Sequence, residues 1–360
     1  MPASTLLGRT AALVDISSVS HDEAALADVV EATLGAVGWL EVTRIADNVV
    51  ARSSLGRASR VLLAGHLDTV PPAGNERARI EGDRLFGVGS ADMKGGLAVL
   101  LELAETLDEP AFDLTFVFYA CEEVARRESG LGVVALARPE LLEADVAVLL
   151  EPTCARVEAG CQGVLRVAVT LGGQRAHSAR PWAGINAIHR LGPVLEVLAN
   201  YEERRPLLDG CEYHETLQAV RVESGGAANV IPDEARILLS HRFAPDRDAP
   251  TAYAALIELL AGVLDETKGD RMELLEAAPA AKPSLDHPFL AALVRSSGRH
   301  PEAKIGWTDV ATFSELGVPA ANFGPGDPLV AHGPQEVVQA ADLDAVLGTL
   351  ASLLSRDGAN

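Results

Sequence analysis

The side chains in this sequence best suited to chemistry are imidazoles and carboxylates placed beside short β-type runs. His66 and Asp68 stand in His66-Leu67-Asp68-Thr69-Val70-Pro71, and Asp92 in Gly89-Ser90-Ala91-Asp92-Met93-Lys94-Gly95-Gly96. Glu122 and Glu123 follow Cys121, Glu151 opens Glu151-Pro152-Thr153, and His332 lies in Val330-Ala331-His332-Gly333-Pro334. Imidazole with carboxylate and no thiolate suits Zn²⁺, Mn²⁺ or Co²⁺ at a catalytic rather than a structural site. Carboxylates gathered in one crevice repel one another, and two divalent ions supply the compensating charge, so the expected centre is dinuclear. Each residue alone has a plainer explanation: a strand-end histidine is usually satisfied or exposed, and an acidic pair or an Asp among glycines is usually turn chemistry. Their joint occurrence at consecutive strand ends singles them out.

The elements that must position them follow from hydrophobic periodicity. Helical spacing covers 5–15 and 22–37, the second with Ser20 as expected N-cap and Glu23 at capping-box distance. β-type runs at 42–45, 49–52 and 61–65 precede a helix at 95–107, a strand at 114–119, a helix at 130–138 and a strand at 145–150. That βαβ order implies a mixed, largely parallel sheet covered by helices on both faces. The runs 61–65, 114–119 and 145–150 lead into His66, Glu122-Glu123 and Glu151, and open α/β sheets bind ligands beyond the carboxyl ends of their strands.

From 164 the order changes to strand (164–171), helix (184–203), strand (216–222), strand (234–243), helix (249–265) and strand (271–276), a ferredoxin-like βαββαβ domain. Helices at 288–297 and 340–354 and a strand at 320–323 then resume the first pattern. The expected fold is therefore α/β, with a discontinuous catalytic metal-binding domain over 1–163 and 277–360 and an inserted domain over 164–276.

Composition narrows the function further. The chain has 360 residues, with 30 Lys and Arg against 51 Asp and Glu and a formal charge of −21, which disfavours nucleic acid and anionic membranes and favours a small-molecule substrate. Cys121, Cys154, Cys161 and Cys211 form no CxxC pair, as expected of reduced thiols. The first 15 residues lack the basic and apolar regions of a secretory signal, and no run approaches ~20 apolar residues. The expectation is a cytoplasmic enzyme.

At Gly65-His66-Leu67-Asp68-Thr69-Val70-Pro71, Gly89-Ser90-Ala91-Asp92-Met93-Lys94-Gly95-Gly96, Glu122-Glu123 and Glu151-Pro152-Thr153 the sequence resembles the dinuclear zinc aminoacylase/carboxypeptidase metallohydrolases. That family includes acetylornithine deacetylases and succinyl-diaminopimelate desuccinylases, and the likeness covers nearly the whole chain. Gly306-Trp307-Thr308-Asp309, Asn322-Phe323-Gly324-Pro325-Gly326-Asp327-Pro328 and Ala331-His332 look most like the actinobacterial desuccinylase form, although other desuccinylases have Thr-Ser-Asp where this chain has Trp307-Thr308-Asp309. The implied reaction removes a succinyl group from the amine of an amino-dicarboxylic acid. Acetylornithine deacetylation and dipeptide cleavage stay open as alternatives, and a noncatalytic metal-binding protein is disfavoured by the presence of Glu122.

The resemblance implies two Zn²⁺ ions, with Co²⁺ or Mn²⁺ able to substitute at one site. It assigns His66 and Glu151 to one ion, Glu123 and His332 to the other, and Asp92 to both. Asp68 is implied to orient His66, and Glu122, left free, to act as the general base. A cis peptide is implied at Asp92-Met93. His177, in Gln174-Arg175-Ala176-His177-Ser178-Ala179-Arg180-Pro181, is implied to serve the partner subunit's active site as an oxyanion donor, which makes the inserted domain a dimerisation element of a homodimer. Arg242 and Asn229 match family substrate positions, Gly306 and Thr308 fall in the desuccinylase-like segment, and Arg175, Arg180 and Lys304 are further candidates for substrate carboxylates.

Overall fold

A computed structural model of the chain describes residues 6–356. Two compact units divide the described residues: 6–160, 283–302 and 309–356 form the first, and 161–282 with 303–308 the second. The breaks fall a few residues outside the inserted domain expected from periodicity, and 303–308 packs with the second unit.

The first unit is built on an eight-stranded sheet. Its strands lie in the order Leu40–Ile45, Asn48–Ser53, Asp113–Tyr119, Arg60–His66, Val146–Leu149, Ala320–Asn322, Glu158–Ala159 and Glu302–Ala303. The four strands from Asp113–Tyr119 to Ala320–Asn322 run parallel, while the flanking pairs on either side include antiparallel ones. Every residue of Asp113–Tyr119 and Val146–Leu149 is buried, which is why these segments read as continuous apolar runs. Val61 and Leu63 share a core with Leu97, Leu100 and Leu103 of helix Gly95–Thr106 and with Leu343, Val346 and Leu350 of helix Ala340–Leu354. Leu62 and Ala64, which alternate with them, are also buried, so both faces of the sheet are covered.

Register carries the site residues to one edge. His66 lies opposite Tyr119 in the parallel pair, and Leu63 and Ala64 lie opposite Val148 and Leu149. Beyond the last paired residues the ladder continues, with Leu67 N donating to Tyr119 O at 2.7 Å and Leu150 N to Ala64 O at 3.0 Å.

Periodicity alone misassigns the start of the second helix. It spans Ala24–Gly35 and has no side-chain cap. The Ser20 hydroxyl is diverted to Asp68 Oδ2 at 2.8 Å, and the Glu23 carboxylate accepts from His21 N and Cys121 N, because these polar groups face the buried strand ends rather than the helix. Periodicity also overlooks the small sheet of Arg79–Glu81, Arg84–Phe86 and Val337–Gln339, whose strands of three residues are too short to show alternation.

The second unit has strands Gly163–Gly172, Thr216–Ser224, Glu234–Phe243 and Arg271–Ala278 with helices Ala187–Ala199 and Ala249–Leu260, in the order βαββαβ. All pairings are antiparallel, and the sheet runs Thr216–Ser224, Glu234–Phe243, Gly163–Gly172, Arg271–Ala278. Leu165, Val167 and Val169 pack with Leu191, Val194, Leu256 and Leu260 on one face. Both helices start at capped positions: Asn186 Oδ1 accepts from Ile188 N and Asp248 Oδ1 from Thr251 N, each at 2.9 Å. Among the described residues no helix is long and apolar enough to cross a membrane, and all four cysteines are free thiols.

Helix Gly95–Thr106 approaches the sheet so closely that a Cβ on Gly96 would lie 2.4 Å from Leu150 O, a backbone atom that cannot swing aside. Gly348, exposed in the last helix, has nothing within 4 Å of such a Cβ. Gly96→Ala should therefore destabilise the chain by about 1–3 kcal/mol through overpacking. Gly348→Ala should stabilise it by up to about 1 kcal/mol through helix propensity. Denaturant midpoints measure both, and an unshifted midpoint for Gly96→Ala would contradict the close approach.

Candidate metal centre

The parallel strands deliver His66, Glu122-Glu123 and Glu151 to the carboxyl edge of the sheet, and two loops add Asp92 and His332. Ligand atoms of His66, Asp92 and Glu151 lie within 4.8 Å of one another, as do those of Asp92, Glu123 and His332 and those of His66, Glu122 and Glu123. Asp92 joins the groups through different oxygens: Oδ1 is 3.1 Å from His66 Nε2, and Oδ2 is 3.4 Å from His332 Nε2. His332 Nε2 also sits 2.8 Å from Glu123 Oε1. The Asp92–Met93 peptide is cis.

Electrostatics fit this donor set to divalent cations. Burial opposes charge on the His66 imidazole, but the neighbouring Asp68 and Asp92 outweigh it and raise its pKa well above the ordinary value. Asp92, and then Glu123, raise His332 to about 10. Burial would lift Asp92, yet the His332 and His66 contacts hold it below the usual carboxylate range. Glu122 is pushed well above the usual range, first by burial and then by Glu151 and Glu123, against the opposing pull of His66. Protonated imidazoles here occupy the role of cations, and neutral imidazole is the form that ligates a metal. The donor set therefore fits divalent cations, with His66, Asp92 and Glu151 as one group of possible ligands, Asp92, Glu123 and His332 as another, and His66, Glu122 and Glu123 as a third.

Support for the cluster comes mainly from backbone groups. His66 Nδ1 is 3.0 Å from Asp68 O, which fixes the ring so that Nε2 faces the cluster. The Asp68 carboxylate lies 3.6 Å from the same nitrogen, too far for a hydrogen bond, and contributes charge instead. Its oxygens accept from Glu122 N at 2.9 Å, Glu123 N at 3.0 Å and the Ser20 hydroxyl, so Asp68 positions the Glu122-Glu123 turn directly. Glu23, 1% exposed, braces Cys121, whose φ of 60° turns the chain out of the strand. Burial, and then Glu23, raise the Cys121 thiol to about 12, so it stays protonated. Neither Ser20 nor Glu23 was identifiable as site support from sequence; the only signal was a polar run before a helix.

The remaining candidates lie in the second unit. Ala176–His177 pairs with Val230–Ile231, and Ser178 N donates to Asn229 O at 2.8 Å, which brings His177 and Asn229 together. His177 Nδ1 accepts from Ala179 N at 3.0 Å, leaving Nε2 as an exposed N–H donor. Arg242 is held within the sheet beside Arg166; burial, and then that neighbouring charge, lower its pKa. Arg175 faces Asp233 at 3.9 Å, and Arg180 N closes a turn onto His177 O. Thr308 and Lys304 are buried and Gly306 is exposed.

Comparison with known proteins agrees with this architecture. Residues 62–356 match the description of peptidase family M20/M25/M40. A Mycobacterium tuberculosis protein assigned as a succinyl-diaminopimelate desuccinylase is 51% identical over 342 residues, 95% of each chain. A succinyl-diaminopimelate desuccinylase of Corynebacterium glutamicum is 46% identical over 347 residues, 94% of each. Among solved structures, a Staphylococcus aureus tripeptidase superposes with a TM-score of 0.81 at 18% identity over 100% of both chains. A dinuclear metal-binding peptidase of Bacillus subtilis gives 0.69 at 18% identity, covering 97% of this chain and 96% of its own. With its imidazoles and carboxylates brought together and its family matched over most of its length, the chain belongs to peptidase family M20/M25/M40 and is a metal-dependent amide hydrolase.

Proposed function

We propose that the chain hydrolyses N-succinyl-LL-2,6-diaminopimelate to LL-2,6-diaminopimelate and succinate, in the cytoplasm, with two zinc ions. The observation that carries this reading is the 51% and 46% identity, over nearly the full length, to proteins assigned or named as succinyl-diaminopimelate desuccinylases. Acetylornithine deacetylases also align, at 31% identity in Myxococcus xanthus, so the choice of acyl substrate is an outcome of the test below.

In this reading His66 and Glu151 hold one ion, Glu123 and His332 the other, and Asp92 both; Co²⁺ or Mn²⁺ can replace zinc at one site. Bound there, the ions supply the positive charge that polarises an amide carbonyl and acidifies water. Glu122 accepts a proton from the attacking water and returns it to the departing amine. Its support is position: Asp68 fixes its backbone N, and its carboxylate lies among the ligand atoms with no arginine or lysine bonded to it in the described residues. Asp68 orders the turn and holds His66 through its carbonyl.

A homodimer formed through the second unit completes the proposal. Its strand Thr216–Ser224 is a sheet edge with Val220 and Val222 more than half exposed, and Trp182, near His177, is 80% exposed. The free Nε2–H of His177 suits donation to an oxyanion in the partner subunit's site. The substrate has three carboxylates, and Arg242, with Asn229, Gly306 and Thr308, is assigned to them; an anion would relieve the unfavourable burial of its charge. Arg175 and Arg180 are accessory cations, and Lys304 is a weaker candidate.

The substrate test uses protein stripped with chelator and reloaded with Zn²⁺ or Co²⁺. Succinate release from N-succinyl-LL-2,6-diaminopimelate, with no turnover of N-acetylornithine, is expected; the reverse would keep the metal chemistry and replace the substrate. Glu122→Gln should retain two ions by elemental analysis while kcat falls by ~10²–10⁴-fold, and an undiminished rate would remove it as the base. For His177→Ala, sedimentation should still report a dimer and kcat should drop by ~10²–10³-fold. A normal rate in that variant would end the cross-subunit role.

A further inference from the structure

Two of the ligand-bearing segments, the Asp92 turn and the His332 turn, are loops rather than strand ends, and one buried side chain ties them together. Glu336 is 1% exposed and follows His332 by four residues. Its Oε1 accepts from both Ala91 N and Asp92 N at 3.0 Å. Its own backbone is pinned as well: Glu336 N donates to Gly333 O at 3.1 Å, and Gly87 N donates to Glu336 O at 3.2 Å. Asn75 Nδ2 reaches the same Gly333 O at 3.2 Å, and the chain then enters strand Val337–Gln339, paired with Arg84–Phe86. One carboxylate oxygen thus bonds the amide of Asp92 itself, while the backbone of the same residue closes the turn that presents His332.

We propose that Glu336 is a positioning residue that fixes the separation of Asp92 and His332 and thereby sets the affinity of the ion held by Asp92, Glu123 and His332. The inference rests on the two-ion reading above. The two ion positions differ in what supports them. His66 ends a strand paired on both sides, and Glu151 follows Leu150, whose amide extends the sheet ladder, so their placement is independent of Glu336. Asp92 and His332 have no such ladder, and one buried carboxylate oxygen accepting from two converging amides restrains both turns. Loss of Glu336 therefore weakens the Asp92, Glu123 and His332 position selectively, since the other retains two sheet-anchored ligands.

The experiment is calorimetric titration of metal-free protein with Zn²⁺, repeated with Co²⁺ so that absorption spectra report each site's coordination. The unmodified chain should bind two ions. Glu336→Ala should bind the first ion with unchanged affinity and the second ~10–100-fold more weakly, the range typical for loss of a group that orients ligands. Glu336→Gln keeps a neutral carbonyl acceptor and should show the same selective loss at a smaller factor, which tests the idea even if the alanine variant does not fold. Equal weakening of both ions, or no weakening of the second, in whichever variants fold would overturn the role of Glu336. Uptake of fewer than two ions by the unmodified chain would instead overturn the two-ion reading and this inference with it.

Discussion

Mutual repulsion among five carboxylates is the constraint around which the first unit is organised. Asp92, Glu122, Glu123 and Glu151 converge on two imidazoles with Asp68 beside His66, in a space where like charges ~4 Å apart oppose one another by about 1–4 kcal/mol per pair. A flexible chain would relax by moving them apart. Here four of them sit on restrained backbone: Asp68 accepts from the amides of Glu122 and Glu123, which holds that pair in turn, and the Asp92 amide donates to the Glu336 carboxylate. The negative charge thus held in place is what makes the crevice a receptor for divalent cations.

That fixation depends on the sheet. Parallel strands buried on both faces leave no freedom of register, so His66, Glu122 and Glu151 emerge at set heights along one edge. Gly96, in the first turn of helix Gly95–Thr106, lets that helix close onto Leu150, bringing the Asp92 turn beside Glu151. The small three-stranded sheet does the same for the last ligand, since Val337–Gln339 anchors the chain just after His332 and Glu336. Packing and metal-site geometry are therefore one problem in this unit.

The second unit holds polar groups apart from one another. His177 is held by a two-residue bridge and by Ala179 N, which leaves one ring nitrogen exposed as a donor. Arg242 is placed on a strand beside Arg166, where its charge is costly, although the chain as a whole carries −21. Such local cations stand out against a strongly acidic background.

The strand-end positions of His66, Glu122-Glu123 and Glu151, the α/β order and the βαββαβ insertion were legible in the sequence, because apolar runs of four to ten residues and the motifs at their ends are local patterns; the expected strand-end placement of Asp92 and His332 was not met, since both lie on loops. Local pattern also predicted Ser20 and Glu23 as a capping box, and there it failed. Nothing in the spacing shows that Asp68 and Cys121, 48 and 98 residues away, would draw those side chains from the helix. The same holds for Glu336, some 240 residues from the amides it accepts, and for the choice of Asp68 carbonyl rather than carboxylate as the partner of His66 Nδ1. Sequence determined which groups are available and which elements carry them. Only tertiary structure decided which donor meets which acceptor, because hydrogen-bond partners are chosen by distance and angle in space, to which separation along the chain is no guide.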